Sequence, residues 1–377
     1  MNITEKPSSR IVSLDVFRGL TIAGMILVNN AGNWDYVYPA LSHAEWHGVT
    51  PTDLIFPFFL FIMGAAIPFA FSKRMSTGVP KGPLIRKIIS RTIILILLGL
   101  VINSFPIYNW NFLSTLRIPG ILQRIAVVYF CISLLYLFTG VRTQTIIAFL
   151  ILFLYWGIMT IIPVPGVGYA NFEPATNLSA WIDRLVFSDH VWEYTKYWDP
   201  EGLLSTLPAI ASGLFGMLTG RWLRTDNSQV NKTVNMFVFG CFAILISMFW
   251  DMVFPFNKNL WTSSYVLYTT GMALLFFASC YWLADVKGSR WWTKPFIVFG
   301  SNAITVFFLS EIMAGVFYMI YVPLNGASVE LKEYIYQGLF NSWLRPIDAS
   351  LAYSVSYVLF WLGIMWVLYS RRIFIKI

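Results

Sequence analysis

Charge is what this sequence of 377 residues has least of: 12% of it is Asp, Glu, Lys or Arg, against about 25% in a soluble domain. With 57% hydrophobic residues, that scarcity excludes a water-soluble enzyme and a disordered chain. Cysteine is scarce as well. Cys131, Cys241 and Cys280 sit in apolar stretches without ligand spacing, so they read as packing residues and exclude a disulfide-built secreted module. There is no Gly-rich phosphate loop, no low-complexity segment, no internal repeat and no broken-helix signal. No cleavable leader is expected at this start, because a short polar lead runs straight into a long apolar segment without a small-residue cleavage site.

What is abundant are long apolar runs and aromatics, the latter 18% of the chain. A membrane-crossing helix needs about 20 mostly apolar residues. Ten such runs are expected at about 12–31, 53–72, 84–103, 119–138, 144–162, 202–222, 233–254, 261–284, 295–321 and 349–370. The fold class expected is therefore an all-α polytopic membrane protein, one transmembrane domain over residues 1–377, its ten helices in one bundle.

A net charge of +8 could point to nucleic acid, but in such a chain position matters more than the sum. Lys73, Arg74, Lys81, Arg86 and Lys87 cluster after the second run, which makes that loop cytoplasmic. Alternation then places Lys6, Arg10, Arg142, Arg221, Arg224, Lys232, Lys287, Arg290, Lys294, Arg371, Arg372 and Lys376 on the same side, with both termini cytoplasmic. The outer face receives the loops 32–52, 163–201 and 322–348, which are rich in Trp, Tyr, Asn and acids, and all three histidines, His43, His47 and His190. That profile suits a polar ligand such as a sugar, and it suits equally an interfacial aromatic belt.

Three constellations could carry chemistry. His43 lies just before a helix start marked by Thr50 and Pro51, and imidazole is the commonest general base. Asp53 at the third helical position could orient that ring, or could simply complete a capping box with Thr50. Asn29 and Asn30 end the first run, where a side-chain amide could stabilise an oxyanion or could only meet water. Ionisable or amide groups inside the runs form the third set: Asp15, Arg18, Arg91, Gln123, Arg124, Asp251 and Glu311. Such groups face a bundle interior or a wet cavity, and arginines there would suit a phosphate-bearing ligand. Asp199-Pro200-Glu201-Gly202 and Asn257-Lys258-Asn259-Leu260-Trp261 are polar, aromatic loop segments of the kind sugar sites use, though each also reads as an ordinary helix start or short connection.

Several motifs resemble the heparan-alpha-glucosaminide N-acetyltransferase family. They are Ser13-Leu-Asp-Val-Phe-Arg-Gly19, Val28-Asn29, His43-Ala-Glu-Trp-His-Gly48, Thr52-Asp-Leu-Ile-Phe-Pro57 with Phe61-Ile-Met-Gly64, Arg117-Ile-Pro-Gly-Ile-Leu-Gln-Arg124, the Asp199 and Asn257 segments above, and Gly300-Ser-Asn302. They run in order through almost the whole chain. The resemblance implies transfer of acetyl from cytosolic acetyl-CoA to the amine of a terminal glucosamine across the membrane. It implies that His43 is the catalytic histidine, with Asn29 and Asp53 as its partners. Glu45 and His47 replace the family's Ser and Asn, the Asn29–His43 connection is longer, and no counterpart of the family's large luminal N-terminal region and extra span is expected. These departures bear on the acceptor rather than the chemistry.

The expected function is thus a transmembrane acetyltransferase, with a bacterial inner membrane as its location. Arg18, Arg86, Arg91, Gln123 and Arg124 are expected to contact acetyl-CoA, and Glu201, Asn259 and Trp261 the sugar. No metal and no nucleic acid is expected. The partners are acetyl-CoA, an amino-sugar acceptor and the bilayer, with a homodimer left open, and direct transfer and an acetyl-histidine intermediate are equally compatible with the residues. A transporter for amino sugars is the alternative, while a membrane scaffold would leave the histidine motif unexplained. The charge pattern makes a prediction of its own. A reporter that is active only in the cytoplasm should be active when fused to the C-terminus, and activity of a periplasm-only reporter would refute this topology.

Overall fold

The computed structural model describes residues 11–76, 80–107, 113–324 and 326–375. Lys6, Arg10 and Lys376 of the charge argument lie outside them, as do the side chains of Lys73 and Arg74. The described chain is helical nearly throughout: α1 (Val12–Asn29), α2 (Ile55–Ser76), α3 (Lys81–Asn103), α4 (Ile121–Phe138), α5 (Val141–Ile161), α6 (Leu178–Phe187), α7 (Thr206–Leu223), α8 (Gln229–Asp251), α9 (Ser263–Tyr281), α10 (Thr293–Ser301) and α11 (Ala303–Met319). A two-stranded antiparallel hairpin follows, β1 (Tyr321–Leu324) on β2 (Ala327–Glu330), then α12 (Leu331–Tyr336) and α13 (Pro346–Ser370).

Seven helices among the described residues are long and apolar enough to cross a membrane, and the bent pair α10–α11 raises that to eight. The remaining two expected runs are helices as well, α3 of 23 residues and α7 of 18, with a more polar make-up. On α5 and α8 much of the apolar surface faces outward: Ile146, Leu150 and Phe153 on the first, Phe239, Phe242 and Phe249 on the second, are all more than half exposed. A patch of that size would drive association in water. Against lipid tails it needs no cover. The chain is an integral membrane protein.

The helix expected at 295–321 is not a single rod. It breaks at Asn302, where α10 and α11 meet at 80°, so the expectation that no helix is broken is corrected. Asn302 leaves the helical region (φ −129°, ψ 41°). Its side chain donates to the Ile373 carbonyl at 3.1 Å and accepts from the Ile375 amide at 2.8 Å. An amide that can serve the returning C-terminal segment in this way competes with continuation of the helix.

Glycine permits the tightest contacts. A Cβ on Gly216 of α7 would lie 1.9 Å from the Phe61 carbonyl oxygen of α2, and one on Gly220 would lie 2.2 Å from that of Ala65. Gly64 of α2 meets the Gly213 backbone in the same way. Small residues let two helix backbones touch in a medium that provides no hydrophobic drive between them. Gly19 of α1 and Gly300 of α10 make an equivalent seam. At the start of α1 the Asp285 carboxylate accepts the Val12 and Ser13 amides at 2.9 Å each, which satisfies donors that a helix N-terminus leaves open.

Overpacking a seam of this kind costs about 1–3 kcal/mol or more, because backbone has to move. Gly216→Ala should therefore lower the midpoint of thermal unfolding in detergent, whereas Gly157→Ala, which meets open space, should leave it nearly unchanged.

Candidate functional site

The connection from α1 to α2 is pinned before it presents any chemistry. Thr50 Oγ1 donates to the Ser42 carbonyl at 2.7 Å and Thr52 Oγ1 to that of Ala40 at 3.1 Å. Pro51 opens a short 3-10 turn that runs into α2. The Asp53 carboxylate, 1% exposed, then divides its two oxygens. Oδ2 accepts the Ala44 and Thr50 amides at 3.1 and 2.9 Å and faces the Thr50 hydroxyl. Oδ1 lies 2.7 Å from His43 Nδ1. The two readings of Asp53, helix capping and histidine partner, are both realised because each uses a different oxygen. A carboxylate can only accept, so Nδ1 carries the hydrogen and Nε2 keeps its lone pair. The imidazole is 48% exposed, at the end of the bundle where α2 begins.

Lys258 reaches the same ring from the loop between α8 and α9. Its Nζ is 3.1 Å from both His43 nitrogens and 4.0 Å from Asp53 Oδ1. The loop is rigidly built. Asn257 Oδ1 accepts the Leu260 amide, the Leu260 carbonyl accepts the Tyr155 hydroxyl at 2.5 Å, and Trp261 takes a positive φ of 52°. Burial lowers the Lys258 pKa, opposed by the charges of Asp53 and Glu201. His47, next to Trp46, lies 3.4 Å from Asn257 Nδ2, and burial lowers its pKa too.

Behind Lys258 stands a charged cluster. Arg117 forks onto Asp199 at 2.8 and 2.6 Å and reaches Glu201 Oε2 at 2.5 Å. Its pKa is raised by the two carboxylates, against the opposing and largest influence of burial. Arg124 donates to the Gly202 carbonyl and to Ser205 Oγ, and its guanidinium lies 4.9 Å from the Trp261 ring. Trp261 itself is fully buried, with its indole N–H on Ser212, so it forms a wall behind the loop and not an open stacking face. Asp183 of α6, pushed up to about 6 by burial, accepts the Leu203 and Asp199 amides.

A second feature lies farther along α2, toward the opposite end of the bundle. A cavity of about 410 Å³ is walled by α2 from Phe59 to Phe71, by α3 and α4, and by the break between α10 and α11. Arg18, Lys87, Arg91, Tyr129 and Asn302 supply its polar surface. Arg91 lies over the Tyr129 ring at 4.6 Å, and its buried Nε has no hydrogen-bond partner.

The residues expected to bind one nucleotide thus divide. Arg18 and Arg91 share this cavity, Arg86 is exposed on α3 and does not line it, and Arg124 belongs to the cluster behind Lys258. The Gln123 amide fills the space that side chains at Gly99 and Gly120 would take. Asn29 is at the end of α1, where its amide donates to Glu311 Oε1 of α11 at 3.1 Å. Of the expected sugar contacts, Glu201 is held by Arg117, Trp261 is buried, and Asn259 is half-buried beside Lys258.

Residues 10–211, more than half of the chain, match a family described as a domain of unknown function, DUF5009. The chain belongs to that family. It is also 29% identical over 98% of its length to heparan-alpha-glucosaminide N-acetyltransferase of Homo sapiens, and equally so to that of Mus musculus. The chain covers 60% and 61% of those two proteins. The family resemblance carried by the motifs is borne out by a similarity that runs nearly end to end.

Lys258, Lys87 and Glu311 were assigned no contact with donor, acceptor or catalytic histidine from sequence, although Glu311 was named among the charges inside the runs and Lys258 within a polar loop segment. Each was visible as a charge in or beside an apolar run, but only the fold brings it to His43, to the cavity or to Asn29. Arg117 is the clearest case of a pair read only in three dimensions. Removing one partner of such a buried ion pair costs about 3–5 kcal/mol, since it strands the opposite charge. Arg117→Ala should therefore lose that much stability in detergent unfolding. Arg117→Lys, which lacks the planar fork, should recover only part of it.

Proposed function

We propose that this protein is a transmembrane acetyltransferase, one unit of ten membrane crossings with cytoplasmic termini, in a bacterial inner membrane. It moves acetyl from acetyl-CoA on the cytoplasmic side to the amine of a glucosamine-type sugar on the outer face. The observation that carries the reading is the buried Asp53 carboxylate holding an exposed imidazole at 2.7 Å, in a chain similar throughout its length to N-acetyltransferases. The opposite end suits the donor: three cations line a cavity of about 410 Å³, within the usual size range for small-molecule sites. The buried, unpartnered Nε of Arg91 is a donor waiting for an acceptor such as phosphate.

His43 Nε2 takes the proton from the acceptor amine as that amine attacks the thioester carbonyl. Asp53 keeps the ring in the tautomer that leaves Nε2 free and stabilises the imidazolium once formed. One N–H of the Asn29 amide is committed to Glu311, which orients the amide, and the second N–H donates to the developing oxyanion. Arg18, Lys87 and Arg91 hold the phosphates of the donor, while Glu201 and Asn259 border the acceptor.

One observation favours the transporter alternative. The break at Asn302 is a feature that transporters share. Its polar side chain, however, is committed to the C-terminal segment. Sealed vesicles of known orientation decide between the two. Acetyl-CoA on the cytoplasmic face should acetylate glucosamine held on the other, and His43→Ala should lower the rate by about 10²–10⁴-fold. Arg91→Ala should raise the acetyl-CoA requirement more than the sugar requirement. Uptake of labelled glucosamine without acetyl-CoA, and no product with it, would replace this reading with transport.

A further inference from the structure

We propose that Lys258 is a self-acetylation site, whose ε-amine takes the acetyl group when no acceptor amine is present. The inference rests on the acetyl-transfer reading above and extends it to a residue of the protein itself. A base acting on an amine needs that nitrogen within hydrogen-bond reach. Lys258 Nζ lies within that distance of the base: at 3.1 Å from both His43 Nε2 and Nδ1 it sits over the face of the ring. The side chain therefore stands beside the place an acceptor amine would take at the Nε2 lone pair.

Two further features separate this amine from an ordinary surface lysine. The loop that carries it is fixed by the Asn257 side chain and by the Tyr155 hydroxyl on Leu260, so the backbone that presents the amine is held in place. Its side chain is only 17% exposed, and burial lowers its pKa, which enlarges the share of free, nucleophilic amine. Charges nearby pull in both directions: Asp53 and Glu201 favour the ammonium, and Arg124 opposes it.

The step balances without any other reactant. The free amine attacks the thioester carbonyl, an N–C bond forms, and the C–S bond breaks. The proton released by nitrogen passes to His43 Nε2 and then to the departing thiolate, which leaves N-acetyl-lysine and free thiol. The product is an amide and no longer an acyl donor, so the modification persists. It also converts a cation 4.0 Å from Asp53 into a neutral, bulkier group against the imidazole. An acceptor that displaces Lys258 from the ring protects it.

The test incubates the purified full-length chain in detergent with isotope-labelled acetyl-CoA, without acceptor, and maps the label by peptide mass spectrometry. A parallel arm uses the acetyl thioester of N-acetylcysteamine, which needs no nucleotide site. A third measures acetylation of glucosamine by the same preparation. Label is expected at Lys258, at least about 10²-fold faster than in His43→Ala or His43→Gln, and suppressed by saturating glucosamine. Label on His43, label spread evenly over the lysines, or acetylated glucosamine with Lys258 unmodified would overturn the inference and leave the transferase reading standing. If glucosamine is never acetylated but the small thioester labels Lys258 in a His43-dependent way, the transferase reading fails and the activated lysine stands. No label at Lys258 from either donor overturns the inference outright.

Discussion

The end of this protein that carries His43 is organised by one buried carboxylate. Asp53 could not remain charged and 1% exposed without compensation, since a lone ionised acid away from water is costly. Its compensation comes from several directions at once: two backbone amides on one oxygen, an imidazole on the other, and an ammonium at 4.0 Å. Each donor belongs to a segment that must be in place for the acid to be tolerated. The α1–α2 connection, the start of α2 and the α8–α9 loop are therefore fixed relative to one another by a single charge. Tyr265 of α9 adds a further tie, its hydroxyl donating to the Asp53 carbonyl at 2.5 Å.

The charged cluster around Arg117 continues the same logic away from the imidazole. Asp199 and Glu201 neutralise Arg117, and Glu201 also bears on Lys258 and Arg124. The long segment between α5 and α7 is thereby tied to the loop that presents Lys258. Trp46 fastens the other side, with its indole N–H on the Phe172 carbonyl at 2.7 Å and its ring edge-on to Trp198. Aromatic residues whose composition suited a sugar surface and a membrane belt equally here cross-link the loops.

Helices were legible in the sequence because hydropathy acts over 20 residues at a time, and every expected run has a helix at its place. Asn302 was not legible as a break. Its cause is a partner more than 70 positions away, a distance over which local pattern carries no information. The His43–Asp53 spacing could be read because both groups flank one helix start, whereas Lys258 approaches from the far side of the chain. The arginines show the limit most directly. Arg91 and Arg124 look alike in the sequence, each a cation inside an apolar run, yet one faces a cavity and the other is walled in by Trp261 and Ser205. Only the rotation of each helix about its axis distinguishes them, and that rotation is set by packing.

The glycine seam between α2 and α7 has a metric consequence. Two helices whose backbones touch at three levels cannot slide past one another without losing every contact together, so α2 behaves as part of a stiff post. That post carries Asp53 at its head and the cavity wall, beginning at Phe59, along its shaft. At about 1.5 Å per residue the vertical offset from Asp53 to the near rim of that wall is about 9 Å. The post therefore works as a ruler: a ligand lodged in the cavity meets the imidazole only if a slender arm spans at least that fixed gap. Selection by reach, independent of any contact with the head group, is built into the length of the helix.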